Sequence, residues 1–259
     1  MIEVRNLKKE YVTGIVKKRV TRALDGIDLS VPQGTVFGLT GESGCGKTTL
    51  AMLIMRLIEP TSGSIFIDSA DITRLNGAEL RKLRPACQII WQNPDASLNP
   101  RMKLKDNILE PLRYYKKCKN GDAPAMLEKY CGMAELPENL LNRYPHEVSG
   151  GENQRAVIAR MLSMQPKLLV ADEPTSSLDI LVQAQILKLL KHIQQQLQIT
   201  MLFISHDLQA VAYMCDQVAV MRNGRIIETG GCRQVLSEPR TSYCRELVNN
   251  AFAPWRLAS

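Results

Sequence analysis

Three stretches of this sequence carry residue types at spacings that chemistry can use. The first is Gly41-Glu42-Ser43-Gly44-Cys45-Gly46-Lys47-Thr48-Thr49, which matches G-x-x-x-x-G-K-[ST]. Glycines in such a run let the backbone curl until its N–H groups converge on phosphate oxygens. Lys47 would then reach the β- and γ-phosphates, and the Thr48 hydroxyl would ligate Mg²⁺. The second stretch, Lys167-Leu168-Leu169-Val170-Ala171-Asp172-Glu173, is an apolar run closed by two acids. Asp172 at its end suits a water-linked Mg²⁺, and Glu173 suits orientation or deprotonation of a water attacking a γ-phosphate. The third, Ser149-Gly150-Gly151-Glu152, opens a helical pattern with Ser149 placed as N-cap. That makes a second anion-binding helix end in one chain. A chance lysine in a glycine-rich turn, or an acidic pair in a turn, explains one of these alone but not the set.

The elements that must position these groups follow from hydrophobic patterning. Val36-Phe37-Gly38-Leu39 reads as a buried strand before the loop, and Leu50 to Met55 as the first turns of a helix after it. Residues 2–12 and 22–31 read as two strands joined by a basic hairpin or loop, Thr13 to Arg22, and Pro32-Gln33-Gly34 as a turn. Tyr11 ends the first of these strands, where an aromatic ring either stacks on a purine or packs on the neighbouring strand. A strand at Ile65–Asp68, a short helix at Glu79–Leu83 and a buried strand at Cys87–Trp91 lead to Gln92. Asn93 to Pro100 is polar and bounded by prolines, and Leu104 to Leu141 is helical with breaks at Pro111, Gly121, Pro124 and Pro137. Residues 93 to about 165 therefore read as an inserted helical lobe, whose last helix is Gln154 to Met164.

The run before Asp172 has the fully apolar character of a parallel strand covered on both faces. Ser177-Leu178-Asp179 begins a long amphipathic helix with Ile186, Leu187, Leu190, Ile193 and Leu197 on one face. Met201 to Ser205 is another buried strand, ending at His206. A lone histidine is usually structural, but this one follows a strand at the side of a parallel sheet where ligands bind. Val218–Met221 and Arg225–Glu228 flank Asn223-Gly224, a hairpin turn, and the tail from Gly230 is short and helical.

Composition bounds the rest. A chain of 259 residues suits one domain with an insertion, or two lobes. With 45% hydrophobic and 23% charged residues it is an ordinary globular sequence. Its longest apolar candidate, Ala51 to Ile58, is too short to span a membrane and is broken by Arg56. The N-terminus starts directly as a strand with no visible signal peptide, so a cytosolic protein is expected, docking at most on a membrane protein. Seven scattered cysteines without a C-x-x-C pair read as reduced thiols, with no zinc or disulfide framework. The net charge of +7 is spread over short clusters (Lys8-Lys9, Lys17-Lys18-Arg19, Lys116-Lys117-Cys118-Lys119) with no interleaved aromatics. They read as solvated surface.

With the pieces in order, the chain resembles an ATP-binding cassette (ABC) ATPase over nearly its whole length. The resemblance rests on the Walker A loop Gly41–Thr49, the Q-loop Gln92, the signature Val148-Ser149-Gly150-Gly151-Glu152 followed by Gln154-Arg155, Walker B with Asp172 and Glu173, and the H-loop His206. Asp179 fits the D-loop, and Tyr11 the A-loop that stacks adenine. Glu152 departs from the commonest signature, which has glutamine there. The resemblance implies an α/β fold: a P-loop NTPase core with a mainly parallel sheet, an N-terminal antiparallel β-subdomain and an inserted helical subdomain. Residues 1–92 and 166–229 would form the core with its β-subdomain, 93–165 the helical subdomain and 230–259 a short tail.

The resemblance also implies ATP and Mg²⁺ as cofactors. It implies two cassettes paired head to tail, each ATP clamped between one Walker A and the other's signature helix. Ser149, Gly150 and Gly151 would then meet the γ-phosphate held by a partner's lysine. His206 would contact the γ-phosphate in its own site, and Gln92 would touch Mg²⁺ and the attacking water. Within the family, Gln92-Asn93-Pro94-Asp95-Ala96-Ser97-Leu98-Asn99-Pro100 resembles the peptide/nickel importer branch. So does the tail Glu238–Leu247, with Thr241-Ser242 where that branch usually has His-Pro before the tyrosine. The expected protein is thus the ATPase subunit of a bacterial importer for peptides or, alternatively, nickel or a metal chelate. It would lie on the cytoplasmic face of the membrane with a second ATPase subunit, identical or different, two permeases and, indirectly, a substrate-binding protein. An ABC ATPase acting on nucleic acid is disfavoured, because there is one cassette, no heptad run and no room for a long coiled coil between Lys47 and Ser149. A P-loop kinase or GTPase leaves the signature unexplained, and the Asn-Lys-x-Asp guanine motif is missing.

Overall fold

The computed structural model describes residues 1–14, 19–94, 96–118 and 121–256. Most of the basic connection expected between the first two strands (residues 15–18, including Lys17 and Lys18), together with Asp95, Lys119 and the last residues of the tail, lies outside the described residues.

The chain begins β1 (Ile2–Thr13), β2 (Arg19–Val31), β3 (Val36–Thr40), α1 (Lys47–Ile54), β4 (Ser62–Ile67), β5 (Ala70–Asp71) and α2 (Gly77–Leu83). It continues with β6 (Cys87–Ile90), α3 (Leu104–Tyr114), α4 (Ala123–Met133), α5 (Gly150–Ser163), β7 (Leu168–Asp172) and α6 (Ile180–Leu197). The last elements are β8 (Thr200–Ile204), α7 (Leu208–Met214), β9 (Gln217–Arg222), β10 (Arg225–Gly231), α8 (Cys232–Ser237) and α9 (Ser242–Arg256). They fall into two compact units, Met1–Lys82 with Thr200–Ser259, and Leu83–Ile199.

In the first unit β1 pairs antiparallel with both β2 and β4, and β4 with β5. A second set is mostly parallel: β3 lies between β8 and β9, parallel to each, and β10 closes back antiparallel on β9. Strands β3 and β8 are buried at every residue, as expected of parallel strands whose two faces are covered. Asn223 (φ 49°) and Gly224 (φ 73°) form the β9–β10 turn. Both central residues have positive φ, which the two-residue hairpin connection requires and Asn-Gly tolerates.

In the second unit β6 and β7 pair in parallel, and α3 and α4 pack on α5. Strand β7 is wholly buried, whereas Gln88, Ile89 and Trp91 are only half-buried, so the expectation of a buried strand at 87–91 holds at Cys87 and Ile90 alone. Along α6, Ile186, Leu187, Leu190 and Ile193 are buried as the amphipathic pattern predicts. Leu197 is not: it is 43% exposed, because the helix ends there and Gln198 turns left-handed at φ 52°. All seven cysteines are free thiols. No helix among the described residues is long and apolar enough to cross a membrane.

Candidate functional site

The glycine-rich loop joins the end of β3 to the start of α1, and its shape is set by contacts that admit no side chain. Gly41 has φ 144°, and a Cβ there would lie 2.2 Å from the Met221 carbonyl oxygen. Gly46 has φ 112°, and a Cβ would lie 2.6 Å from the Ala23 carbonyl oxygen. Both values belong to the region that only glycine enters freely. Within the loop the Cys45 N–H donates to the Glu42 carbonyl at 3.3 Å, and the Gly224 N–H donates to the Cys45 carbonyl at 3.0 Å. The first turn of α1 carries no acid, so the positive end of its dipole is uncompensated by its own side chains.

Lys47 is 7% exposed, and its ammonium donates to the carbonyls of Gly41 (2.7 Å) and Glu42 (2.9 Å). Glu42, Ser43, Gly44 and Thr48 are exposed around it and Thr49 is half-buried, so the loop opens its backbone to solvent on one side while the lysine is held within. The Cys45 thiol is buried, and this burial outweighs the nearby Lys47 charge and raises its pKa. A contact that sequence reasoning missed reaches the same loop: the Glu42 N–H donates to the Tyr243 hydroxyl of α9 at 3.2 Å. No sequence-local signal announces a pair 201 residues apart.

Two more expected residues belong to this unit. His206 follows β8, which pairs with β3 in the register Leu39↔Ile204, so His206 and Gly41 emerge from corresponding ends of adjacent parallel strands. His206 is exposed, and the next residue, Asp207, caps α7 by accepting from the Gln209 N–H at 2.8 Å. Tyr11 sits on β1 opposite Thr21, 39% exposed, with the Lys9 ammonium 5.1 Å from its ring centroid. The ring is therefore outside the core, partly open to solvent.

The second unit repeats this edge geometry. Strands β6 and β7 are in the register Ile90↔Ala171, so Gln92 and Asp172 emerge from corresponding ends of neighbouring parallel strands. Asp172 is 3% exposed, while Gln92 is exposed, its carbonyl accepting from the Ser177 hydroxyl at 3.2 Å. Glu173 stands just past β7 with φ 52°, a left-handed backbone uncommon in a non-glycine residue, and its carbonyl accepts from the Ser176 N–H at 3.3 Å.

Ser149 caps α5 through a reciprocal box. Its hydroxyl accepts from the Glu152 N–H at 3.3 Å, and Glu152 Oε2 accepts from the Ser149 N–H at 2.7 Å and its hydroxyl at 2.9 Å. Gly150 and Gly151 lie against the start of α6, where a Cβ on Gly151 would meet Val182 Cγ1 at 2.6 Å. Gln154, buried in α5, donates to the Pro174 carbonyl at 2.8 Å and so ties this helix to the turn after Glu173. Asp179 caps α6, accepting from the Val182 N–H at 3.0 Å.

The expected residues thus form two sets. Tyr11, Gly41–Thr49 and His206 belong to the first unit, and Gln92, Ser149–Gly151, Asp172, Glu173 and Asp179 to the second. Their metal-capable members, Thr48, Gln92 and Asp172, offer only oxygen donors, and the described residues hold no group of three or more His, Cys, Asp or Glu suited to a metal. A sparse oxygen set of this kind fits Mg²⁺, which keeps several waters and takes substrate phosphates as ligands, rather than a dedicated protein cage.

The ABC transporter family matches residues 24–176, a span from β2 past Asp172 and Glu173. The chain belongs to the ABC transporter family. A putative peptide import ATP-binding protein of Brucella ovis is 42% identical over 254 residues, covering 98% of this chain and 79% of that protein. The dipeptide transport ATP-binding protein DppF of Lactococcus lactis is 40% identical over 257 residues, covering 98% of this chain and 82% of its own. Among solved structures, the ATP-binding cassette MJ0796, described as a dimeric post-hydrolysis state bound to ADP and Pi, superposes with a TM-score of 0.80 at 28% identity. That match covers 90% of this chain and 99% of the other. The α/β fold of the present chain is that of an ABC cassette, and the chain is an ATPase of that type.

Proposed function

We propose that this protein is the ATP-hydrolysing subunit of a bacterial importer that takes up peptides, stationed on the cytoplasmic face of the membrane beside partner permeases. One observation carries the substrate class: identity of about 40% over nearly the whole chain to proteins named for peptide and dipeptide import. Residues 1–92 and 166–229 serve as the catalytic core with its β-subdomain, 93–165 as the helical subdomain and 230–259 as the tail.

In this reading the backbone N–H groups of the loop and of the first turn of α1, with Lys47, take the phosphates, which requires Lys47 to exchange the Gly41 and Glu42 carbonyls for phosphate oxygens. Gly41, Glu42 and Cys45 set the loop's curvature, and Tyr11 meets the adenine. Thr48, Gln92 and Asp172 would hold Mg²⁺, which would supply positive charge to the phosphates. Glu173 orients the attacking water and takes its proton, and His206 donates toward the γ-phosphate. Such a set suffices, because phosphoryl transfer is mostly positioning and charge stabilisation.

Ser149, Gly150 and Gly151 serve the nucleotide of a second cassette, with Asp179 next to them at the pairing face. Each site is then half of a composite, and a lone protomer is a slow ATPase. Specific activity measured across protein concentration should rise as the chain pairs; full activity independent of concentration would remove the composite site. Lys47→Ala should lose binding of a fluorescent ATP analogue. Uptake of labelled dipeptide against ⁶³Ni²⁺ in a deletion strain decides the substrate, and nickel-only uptake would overturn the peptide assignment.

A further inference from the structure

The tail stretch from Glu238 to Leu247 reaches the glycine-rich loop through Tyr243. Glu228 of β10 fastens the entry to α9 with three bonds. Its carboxylate accepts from the N–H of Arg240 (2.9 Å), the N–H of Thr241 (3.1 Å) and the hydroxyl of Thr241 (3.1 Å). Thr241 in turn accepts from the Cys244 N–H at 3.2 Å, which starts the helix. Tyr243 follows in the first turn, 6% exposed, with the Arg222 guanidinium 4.6 Å from its ring centroid. The anchored ring carries its hydroxyl to the Glu42 N–H. Burial raises the phenol above its ordinary 10.0, so the hydroxyl stays neutral at any physiological pH.

Both polar backbone groups of Glu42 are therefore held from outside the peptide. Its carbonyl accepts from Lys47 and from the Cys45 N–H, and its N–H donates to Tyr243. When Lys47 leaves for a phosphate, the Tyr243 bond is the side-chain restraint that stays on this residue. We infer that Tyr243 is a positioning residue for ATP binding: through the Glu42 amide, the C-terminal helix holds the phosphate loop in its nucleotide-accepting curve. The inference rests on the reading of Gly41–Thr49 as the phosphate site.

Tyr243→Phe in the full-length protein tests it, since that change removes the oxygen and keeps the ring under Arg222. Losing one hydrogen bond of ordinary strength to a fixed N–H should raise KM for MgATP about five-fold. The value of kcat at saturation should stay at its original value, and the melting temperature should fall by no more than the loss of one hydrogen bond accounts for. Native-state amide exchange adds an independent readout: the Glu42 N–H should exchange several-fold faster, with the amides of β3 and α1 unchanged. Unchanged KM with unchanged Glu42 exchange would overturn the inference. So would a fall in melting temperature with kcat and KM untouched, which describes mere packing. Should the Phe variant fold poorly, Glu228→Gln loosens the same helix entry from a distance and should raise KM with kcat retained; an unaltered KM there counts against the role. Lys47→Ala with normal nucleotide affinity would instead remove the loop reading itself, whatever Tyr243 does.

Discussion

Glu152 Oε2 lies 2.9 Å from the hydroxyl of Ser149 and 2.7 Å from its N–H, so the residue that departs from the commonest signature also holds the signature serine. An acid in the first helical turn stabilises the helix, but here it engages the hydroxyl proposed to meet a partner's phosphate and adds negative charge beside it. Glu152→Gln should therefore act in two directions. Helix stability should fall by about 0.5 kcal/mol, while apparent affinity for MgATP should rise about two- to three-fold at low ionic strength and lose most of that gain at high salt. Thermal melts with ATPase titrations at two salt concentrations check both. A salt-independent effect would detach Glu152 from the phosphate.

Glu173 combines a left-handed backbone with a place directly after the buried Asp172. Glu173→Gln keeps size and backbone demands but removes the proposed base. Nucleotide affinity should be retained and turnover should fall by at least about 100-fold, the usual contribution of a positioned general base. Single-turnover hydrolysis beside equilibrium binding separates the two. Unchanged turnover would take Glu173 out of its role.

Cys45 is 7% exposed, and burial raises its thiol pKa, so the reactive thiolate is scarce at neutral pH. Maleimide should modify it slowly, after the half-exposed Cys118, and faster as pH rises. In a Cys118→Ser background, mass spectrometry should show Cys45 labelling tracking the loss of ATP binding, with ATP protecting. Full activity after confirmed labelling of Cys45 would contradict the loop's role.

Burial alone would raise the Glu228 carboxyl above its ordinary 4.5, but the N–H groups of Arg240 and Thr241, the Cys244 thiol and the Thr241 hydroxyl outweigh it and lower the pKa. A depressed folded-state pKa gives stability that is fully present above the unfolded value and lost as pH falls through the folded one. Glu228→Gln should accordingly melt lower than the parent at neutral pH, and the gap should narrow as pH drops below 4.5. Melting curves across the acid range test this. A constant gap would mean that packing, not charge, holds the entry to α9.

Much of the site was legible because its signals are local. The proposed phosphate loop is marked by glycines that its backbone needs, Gly41 and Gly46. The Ser149 cap and the wholly apolar β7 likewise lie within a few residues of what they control. What stayed hidden depends on sequence-distant contact. Nothing near Glu42 points to Tyr243, and nothing near Cys45 points to the Gly224 N–H. Leu197 misled because periodicity continues to the last helical residue, whereas burial stops where the helix turns away at Gln198. Ile89 misled because an apolar residue in a short strand need not be covered on both faces, and Trp91 because the strand ends before it, at Ile90.

The β9–β10 turn has a consequence of length. Gly224 accepts from the Asp25 N–H on β2 at 2.9 Å and donates to Cys45 in the phosphate loop at 3.0 Å, while Arg225 grips the Asp25 carboxylate at 2.6 and 3.0 Å. Strand β2 is the partner of β1, on which Tyr11 stands. The proposed base-stacking ring and the proposed phosphate cradle are therefore linked through β2, which meets the loop both at the β9–β10 turn and where Gly46 packs against the Ala23 carbonyl. On the proposed reading such a frame would act as a caliper, the span from base to phosphate being set by bonds the chain makes without a nucleotide.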